Sequence, residues 1–194
     1  MEENKINPNF KVVIIGGSAG SLNALMTILP ELPKAITFAL VIVLHRKNSD
    51  DLTLEDLLKM KSRIPFKSIE DKTLFESGFL YVAPSNYHLL FEKDQTLALD
   101  TSEKVNYSRP SIDVSFESAS EVYADNLVGI LLSGSNSDGT QGLKAIQKAG
   151  GIIVVQDPEV AEMPFMPKNA ILNLTPDYIL KNEAILNFLK CLND

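Results

Sequence analysis

Unbroken apolar runs and spaced apolar positions take turns along this chain. Val12 to Ile15 is a continuous β-branched run ending in Gly16–Gly17, the pattern of a strand buried on both faces. Leu22, Leu25, Met26 and Leu29 then recur at helical spacing, and Pro30 and Pro33 mark the stop. Phe38 to Leu44 predicts a second buried strand. Asn48, Ser49 and Asp50 offer caps for a helix carrying Leu54, Leu57 and Leu58. The middle changes rhythm. IPFKSIE, FLYVAP, HLLFEK and TLALD are short β-like runs broken by turn residues, with EKDQT as a hairpin turn, so some antiparallel pairing is expected here. Ser111 to Ala124 predicts a helix with Ile112, Phe116, Ala119 and Tyr123 on one face and Pro110 at its start. Alternation then returns: a strand over Leu127–Leu132, a helix over Gly139–Ala149, a strand over Ile152–Val155, a short helix over Lys168–Leu174 and a terminal helix over Asn182–Leu192.

Strands alternating with helices predict an α/β fold: a doubly wound, mostly parallel sheet with helices on both faces, plus an antiparallel hairpin. The 194 residues, 45% of them hydrophobic, fit one domain over residues 11–194 after a flexible polar leader of residues 1–10. The formal net charge of −7 argues against nucleic acid as a main partner. Cys191 is the only cysteine, which excludes an internal disulfide and suits a reducing compartment, with Cys191 packing in the terminal helix. The leader lacks an apolar secretion core, and the longest apolar runs are too short to cross a membrane, so a soluble cytoplasmic protein is expected, without direct membrane insertion.

In a parallel sheet, ligands gather at the carboxyl ends of the strands. Three polar residues follow buried strands directly: Ser18 after the first, His45 at the end of the second, and Asp138 in the loop after the third. A hydroxyl, an imidazole and a carboxylate on one rim are the parts of a hydrolase triad, in which the base takes the serine proton and the acid holds the imidazole tautomer. Each also has a plainer reading: Ser18 as a helix cap, His45 as a polar strand end, Asp138 as a turn residue or N-cap. The only other histidine, His88, falls on the hairpin, where it reads as a structural hydrogen-bond partner. Ser111 and Asp113 read as caps of the long helix, or with Arg109 as substrate-facing. Arg46 and Lys47 read as solvated loop charges or as cations that steer an acidic helix. GGSAGS fits G-x-S-x-G but not G-x-G-x-x-G, no P-loop follows, and two separated histidines with one cysteine make no metal site. No cofactor is implied.

The motifs GGSAGS, VLH, APSNYHLL, RPSIDVSFES, SGSNSDG and MPFMP, in this order, resemble those of the catalytic domain of the CheB-type protein-glutamate methylesterases. The resemblance covers nearly the whole chain from about Lys11. It implies Ser18 as nucleophile, His45 as base and Asp138 as orienting acid. It further implies an oxyanion and substrate site involving Ala19, Arg46 and the backbone amide at Ser135, aided by the N-terminus of the helix after Ser18. The reaction implied is hydrolysis of methyl esters on glutamate side chains of chemoreceptors, with deamidation of receptor glutamines as a second activity. The partners implied are the cytoplasmic helices of methylated chemoreceptors, with a chemotaxis methyltransferase or a separate regulatory protein as further candidates. With the resemblance starting near residue 11, a stand-alone catalytic domain without the receiver domain that familiar members carry is expected. Ala19 stands where many members have threonine, Ser21 and Asn136 replace glycines, and Ser135 replaces a methionine. Asn136 would suit a left-handed backbone. These departures motivate the alternative of a catalytically weak or inactive interaction module in a chemosensory complex.

Overall fold

The computed structural model describes residues 11–46 and 53–193. The elements run β1 (Val12–Gly17), α1 (Ser21–Ile28), β2 (Ala39–Leu44), α2 (Thr53–Lys61), β3 (Thr73–Leu74), β4 (Leu80–Val82), β5 (His88–Phe91) and β6 (Thr96–Asp100). They continue with α3 (Ile112–Tyr123), β7 (Leu127–Leu131), α4 (Thr140–Lys148), β8 (Ile152–Gln156), α5 (Phe165–Asn173), β9 (Tyr178–Leu180) and α6 (Asn182–Leu192). Six strands form one parallel sheet in the order β4-β2-β1-β7-β8-β9. The chain builds outward from β1 to β2 and β4 on one side and from β7 to β8 and β9 on the other. The strand order therefore reverses at β1, where a crevice opens at the carboxyl edge.

The unbroken apolar runs are explained by burial on two faces. Val12 and Ile14 join one core with Ile112, Phe116, Leu143, Ile146 and Met166, from α3, α4 and α5. Val13 and Ile15 join another with Leu25, Ile28, Leu58, Ile185 and Leu189, from α1, α2 and α6. The antiparallel sheet β3-β6-β5 lies on the α3 side. Ser115 Oγ donates to Leu89 O at 3.0 Å, and Phe91 N donates to Ser118 Oγ at 2.8 Å, tying β5 to α3.

Three details differ from expectation. FLYVAP does not join the antiparallel sheet; its core, β4, pairs in parallel with β2 as an edge of the main sheet, because a run this short carries no direction signal. α5 starts three residues before the expected Lys168 and includes Pro167 in its first turn, where the missing N–H has no intrahelical partner to lose. Cys191 is exposed on α6, not packed. The residues offered as caps for α2 lie outside the described residues, as does Lys47.

Candidate active site

β1, β2 and β7 end level with one another: Gly17 pairs with Leu44 and Gly16 with Leu131. The ladder runs one step further, since His45 N donates to Gly17 O at 3.1 Å, Leu132 N to Gly16 O at 2.8 Å and Ser18 N to Ser133 O at 2.8 Å. Ser18 and His45 are therefore fixed side by side as the first residues off adjacent strands. Ser18 does not cap α1, whose N-cap is Gly20 at φ 80°. A Cβ at Gly20 would meet Ser133 Oγ at 2.7 Å and Glu162 Cβ at 2.6 Å, so both backbone angle and space call for glycine. Ser133 braces this turn a second time by donating its hydroxyl to Ala19 O at 2.7 Å.

Asp138 is fully buried, and five donors converge on it. Its Oδ2 lies 2.6 Å from His45 Nε2 and accepts from Ile112 N at 2.7 Å. Its Oδ1 accepts from Asn106 Nδ2 at 2.8 Å, Ser111 Oγ at 2.9 Å and Asp113 N at 3.1 Å. Asp138 thus closes the N-terminus of α3 from a distant loop, where free N–H groups favour an anion. Burial pushes its carboxyl up, yet the hydrogen bonds from His45, Asn106 and the α3 backbone outweigh that and hold it down at about 2. An ionised carboxylate only accepts, so His45 carries its proton on Nε2, and Nδ1 is left as the basic nitrogen.

A solvent-open cavity of about 690 Å³ at this edge is lined by Ser18, Ala19, His45, Arg46, Tyr107, Arg109 and Asn136, among others. Ser135 does not line it and is exposed in the same loop. Asn136 is not left-handed; its Oδ1 instead accepts from Asp138 N at 3.1 Å, closing a short turn that presents the carboxylate. Arg46 is neither a solvated loop charge nor a free steering cation. Glu55 on α2 grips its guanidinium with both oxygens, at 2.7 and 2.5 Å, and Ala83 O accepts at 2.9 Å.

The family model of the CheB methylesterases matches residues 13–189. The chain belongs to the CheB methylesterase family. A Leptospira interrogans protein named for protein-glutamate methylesterase and protein-glutamine glutaminase activities is 50% identical over 177 residues, covering 91% of this chain and 92% of that protein. A Thermotoga maritima protein-glutamate methylesterase/protein-glutamine glutaminase is 32% identical over 88% of this chain, which spans only 50% of its length. The crystal structure of the Thermotoga maritima CheB methylesterase catalytic domain superposes with a TM-score of 0.89 at 32% identity, covering 94% of this chain and 98% of that one. The doubly wound sheet with its small antiparallel sheet is thus the fold of the CheB catalytic domain.

Within this CheB domain the structure adds one residue that the sequence left unmarked, Asn106, and gives Asp113, Ser111 and His88 their partners. Asn106 Nδ2 donates both to Asp138 Oδ1 and to Asp113 Oδ2, the latter at 2.9 Å. Asp113 is buried, and its Oδ1 accepts from Gly142 N at 2.7 Å, so it pins α3 to α4 and does not serve as a simple cap. Ser111 does cap α3, accepting from Val114 N at 3.4 Å. His88 is buried away from the cavity, with Nε2 on Glu103 O at 2.9 Å and Nδ1 accepting from Ser111 N at 3.2 Å. It fixes the start of α3, a structural role. Asn106 had one signal in sequence: asparagine tolerates the left-handed backbone that the turn before α3 needs.

Proposed function

We propose that this CheB-family chain hydrolyses methyl esters on glutamate side chains of chemoreceptors, with Ser18 as nucleophile, His45 as base and Asp138 as orienting acid. The observation that carries the assignment is the His45–Asp138 pair beside Ser18 on the wall of one cavity. His45 Nδ1 takes the Ser18 proton as Oγ attacks the ester carbonyl. The imidazolium then holds two N–H groups, one kept on Asp138 and one available to the departing methoxide. Methanol leaves with that proton, and the acyl-enzyme remains. Water, deprotonated by the same Nδ1, attacks the acyl carbon and releases the glutamate carboxylate and Ser18.

The developing oxyanion needs N–H donors without other partners. Ser18 N and Gly134 N are already used, by Ser133 O and Met163 O. The amides of Ala19 and Ser135 make no backbone hydrogen bond among the described residues; Ala19 follows the nucleophile in the chain, and Ser135 follows Gly134, where an added Cβ would lie 3.0 Å from Ser18 Cβ. They are the donors assigned here. Arg46 contributes as a wall of the cavity, its charge balanced by Glu55. Hydrolysis of the amide of a receptor glutamine would follow the same steps, with ammonia leaving. The partners proposed are cytoplasmic helices of methylated receptors, which places the protein in the cytoplasm; among the described residues no helix is long and apolar enough to cross a membrane.

The test is release of labelled methanol from a methylated receptor fragment. Wild type should release it, and Ser18→Ala should abolish release while the fold, followed by circular dichroism, is kept. A serine-reactive phosphonate should label Ser18 stoichiometrically, and His45→Ala should slow that labelling. Full turnover by Ser18→Ala would sink the assignment.

A further inference from the structure

Val105 and Ser108 exchange backbone hydrogen bonds, Val105 N to Ser108 O at 3.2 Å and Ser108 N to Val105 O at 2.9 Å. The two residues between them, Asn106 and Tyr107, have φ of 50° and 64°. Two left-handed central residues define a type I′ turn, which favours asparagine first and glycine second. Here the second position is tyrosine. Its backbone strain is of the order of 1 kcal/mol, and no burial offsets it, since Tyr107 is 97% exposed. A bulky aromatic held at a glycine position, in full solvent, points to function.

The surroundings narrow that function. The turn sends its two side chains in opposite directions: Asn106 inward to Asp138 and Asp113, Tyr107 outward onto the rim of the Ser18 cavity. Among the described residues the same rim carries Lys104 and Arg109 beside the Glu55-paired Arg46, and no aspartate or glutamate lines it, although the whole chain bears a net charge of −7. Arg109 is held in place by its guanidinium, whose Nη1 donates to Thr101 O and Ser102 O, both at 2.6 Å. A local excess of positive charge on an acidic protein selects an anionic partner.

We propose that the Val105–Ser108 turn is the docking element for the protein substrate. Tyr107 packs against the backbone and stems of an acidic helix beside its esterified glutamate, while Lys104 and Arg109 meet neighbouring carboxylates. The identity of that helix rests on the function proposed above; the docking role itself rests on the turn and the charge pattern. The arrangement joins two tasks in one turn, because the residue next to the docking tyrosine is the one that bonds Asp138.

The test compares Tyr107→Gly with wild type on a methylated receptor fragment and on a small activated ester. Glycine suits the turn, so the variant folds, and Asn106 keeps its place. The expected result is a rise of about tenfold in KM for the receptor fragment with kcat held, and a fall of similar size in the ratio of receptor to small-ester kcat/KM. Lys104→Glu should raise the same KM and flatten its dependence on salt. An unchanged ratio in Tyr107→Gly would overturn the proposal. Binding of the fragment to Ser18→Ala, with and without Tyr107→Gly, separates docking from chemistry. A Kd weakened by the tyrosine loss supports docking even if wild type shows no turnover, in which case the esterase reading alone fails; an equal Kd removes the docking role.

Discussion

His45 Nε2 lies 2.6 Å from Asp138 Oδ2, so the nitrogen that remains for a neighbouring hydroxyl is Nδ1. The carboxylate sets this choice, because it can only accept, and four other donors hold it in the ionised form. Asp138→Asn would present an amide NH₂ to the backbone N–H groups of α3 or to the imidazole, and either way one donor faces another. A loss of about 10³–10⁴-fold in kcat is expected, the size seen when a triad aspartate becomes asparagine. A lower midpoint of thermal unfolding should accompany it, since the same change disturbs the start of α3. Steady-state kinetics and a melting curve on one preparation check both.

Asn106 holds two carboxylates with one NH₂ group. Asn106→Ala removes both bonds and leaves Asp113 and Asp138 facing each other without a donor between them. Stability should fall by about 1–3 kcal/mol, and kcat should drop on the order of tenfold as Asp138 loses one of its anchors. KM for a small activated ester should move much less than kcat. Denaturant titration and steady-state kinetics measure the two effects; a KM change larger than the kcat change would place Asn106 against substrate.

Arg46 and Glu55 form a two-point ion pair, each side chain 12% exposed, in the wall beside His45. Among the described residues, Glu55→Ala leaves the guanidinium with Ala83 O alone, and a cost of about 3 kcal/mol is expected. Replacing both partners with apolar residues of similar volume should recover most of that loss. A double-mutant cycle by urea unfolding reads the coupling. If Glu55→Ala melts like wild type, the pair is not structural and Arg46 is free to meet substrate.

The sheet and the three rim positions were legible for one reason. Val12–Ile15, Phe38–Leu44 and Leu127–Leu132 are apolar without alternation, which only strands covered on both faces require, and Ser18 and His45 come off the ends of the first two while Asp138 lies in the loop after the third. The edges were less legible. β9 has Tyr178 and Ile179 about half exposed and reads like a loop, and the direction of β4 depends on a partner forty residues earlier. The support of the site was hidden because it is long-range. Nothing near Asn106 in sequence announces a bond to Asp138, 32 residues on. Asp113 looked like a cap because it sits in the first turn of α3, but its partner is the backbone of Gly142 on the next helix. Arg46 looked like a loop charge because its partner Glu55 is on α2, nine residues on, at a spacing that sequence alone does not read as a contact.

Asp113 makes stability depend on pH in a direction opposite to Asp138. Burial is the main cause that pushes its carboxyl up, to about 7, with the Asp138 charge adding to it and the Gly142 N–H opposing it. A carboxyl that is harder to ionise in the fold than in the unfolded chain penalises the native state once it must ionise. The penalty is absent below about pH 4, grows between pH 4 and 7, and is constant above; three pKa steps set its ceiling at about 4 kcal/mol. Asp138, with its pKa lowered, contributes stability that is complete above about pH 4 and is lost as pH falls toward 2. Asp113→Asn keeps an oxygen for Gly142 N and cannot ionise. Its stability relative to wild type should therefore rise between pH 4 and 8, as read by urea unfolding across that range. A flat difference over the interval would show that Asp113 ionises as readily in the fold as in the open chain, and that its bond to Gly142 is made equally well in either state.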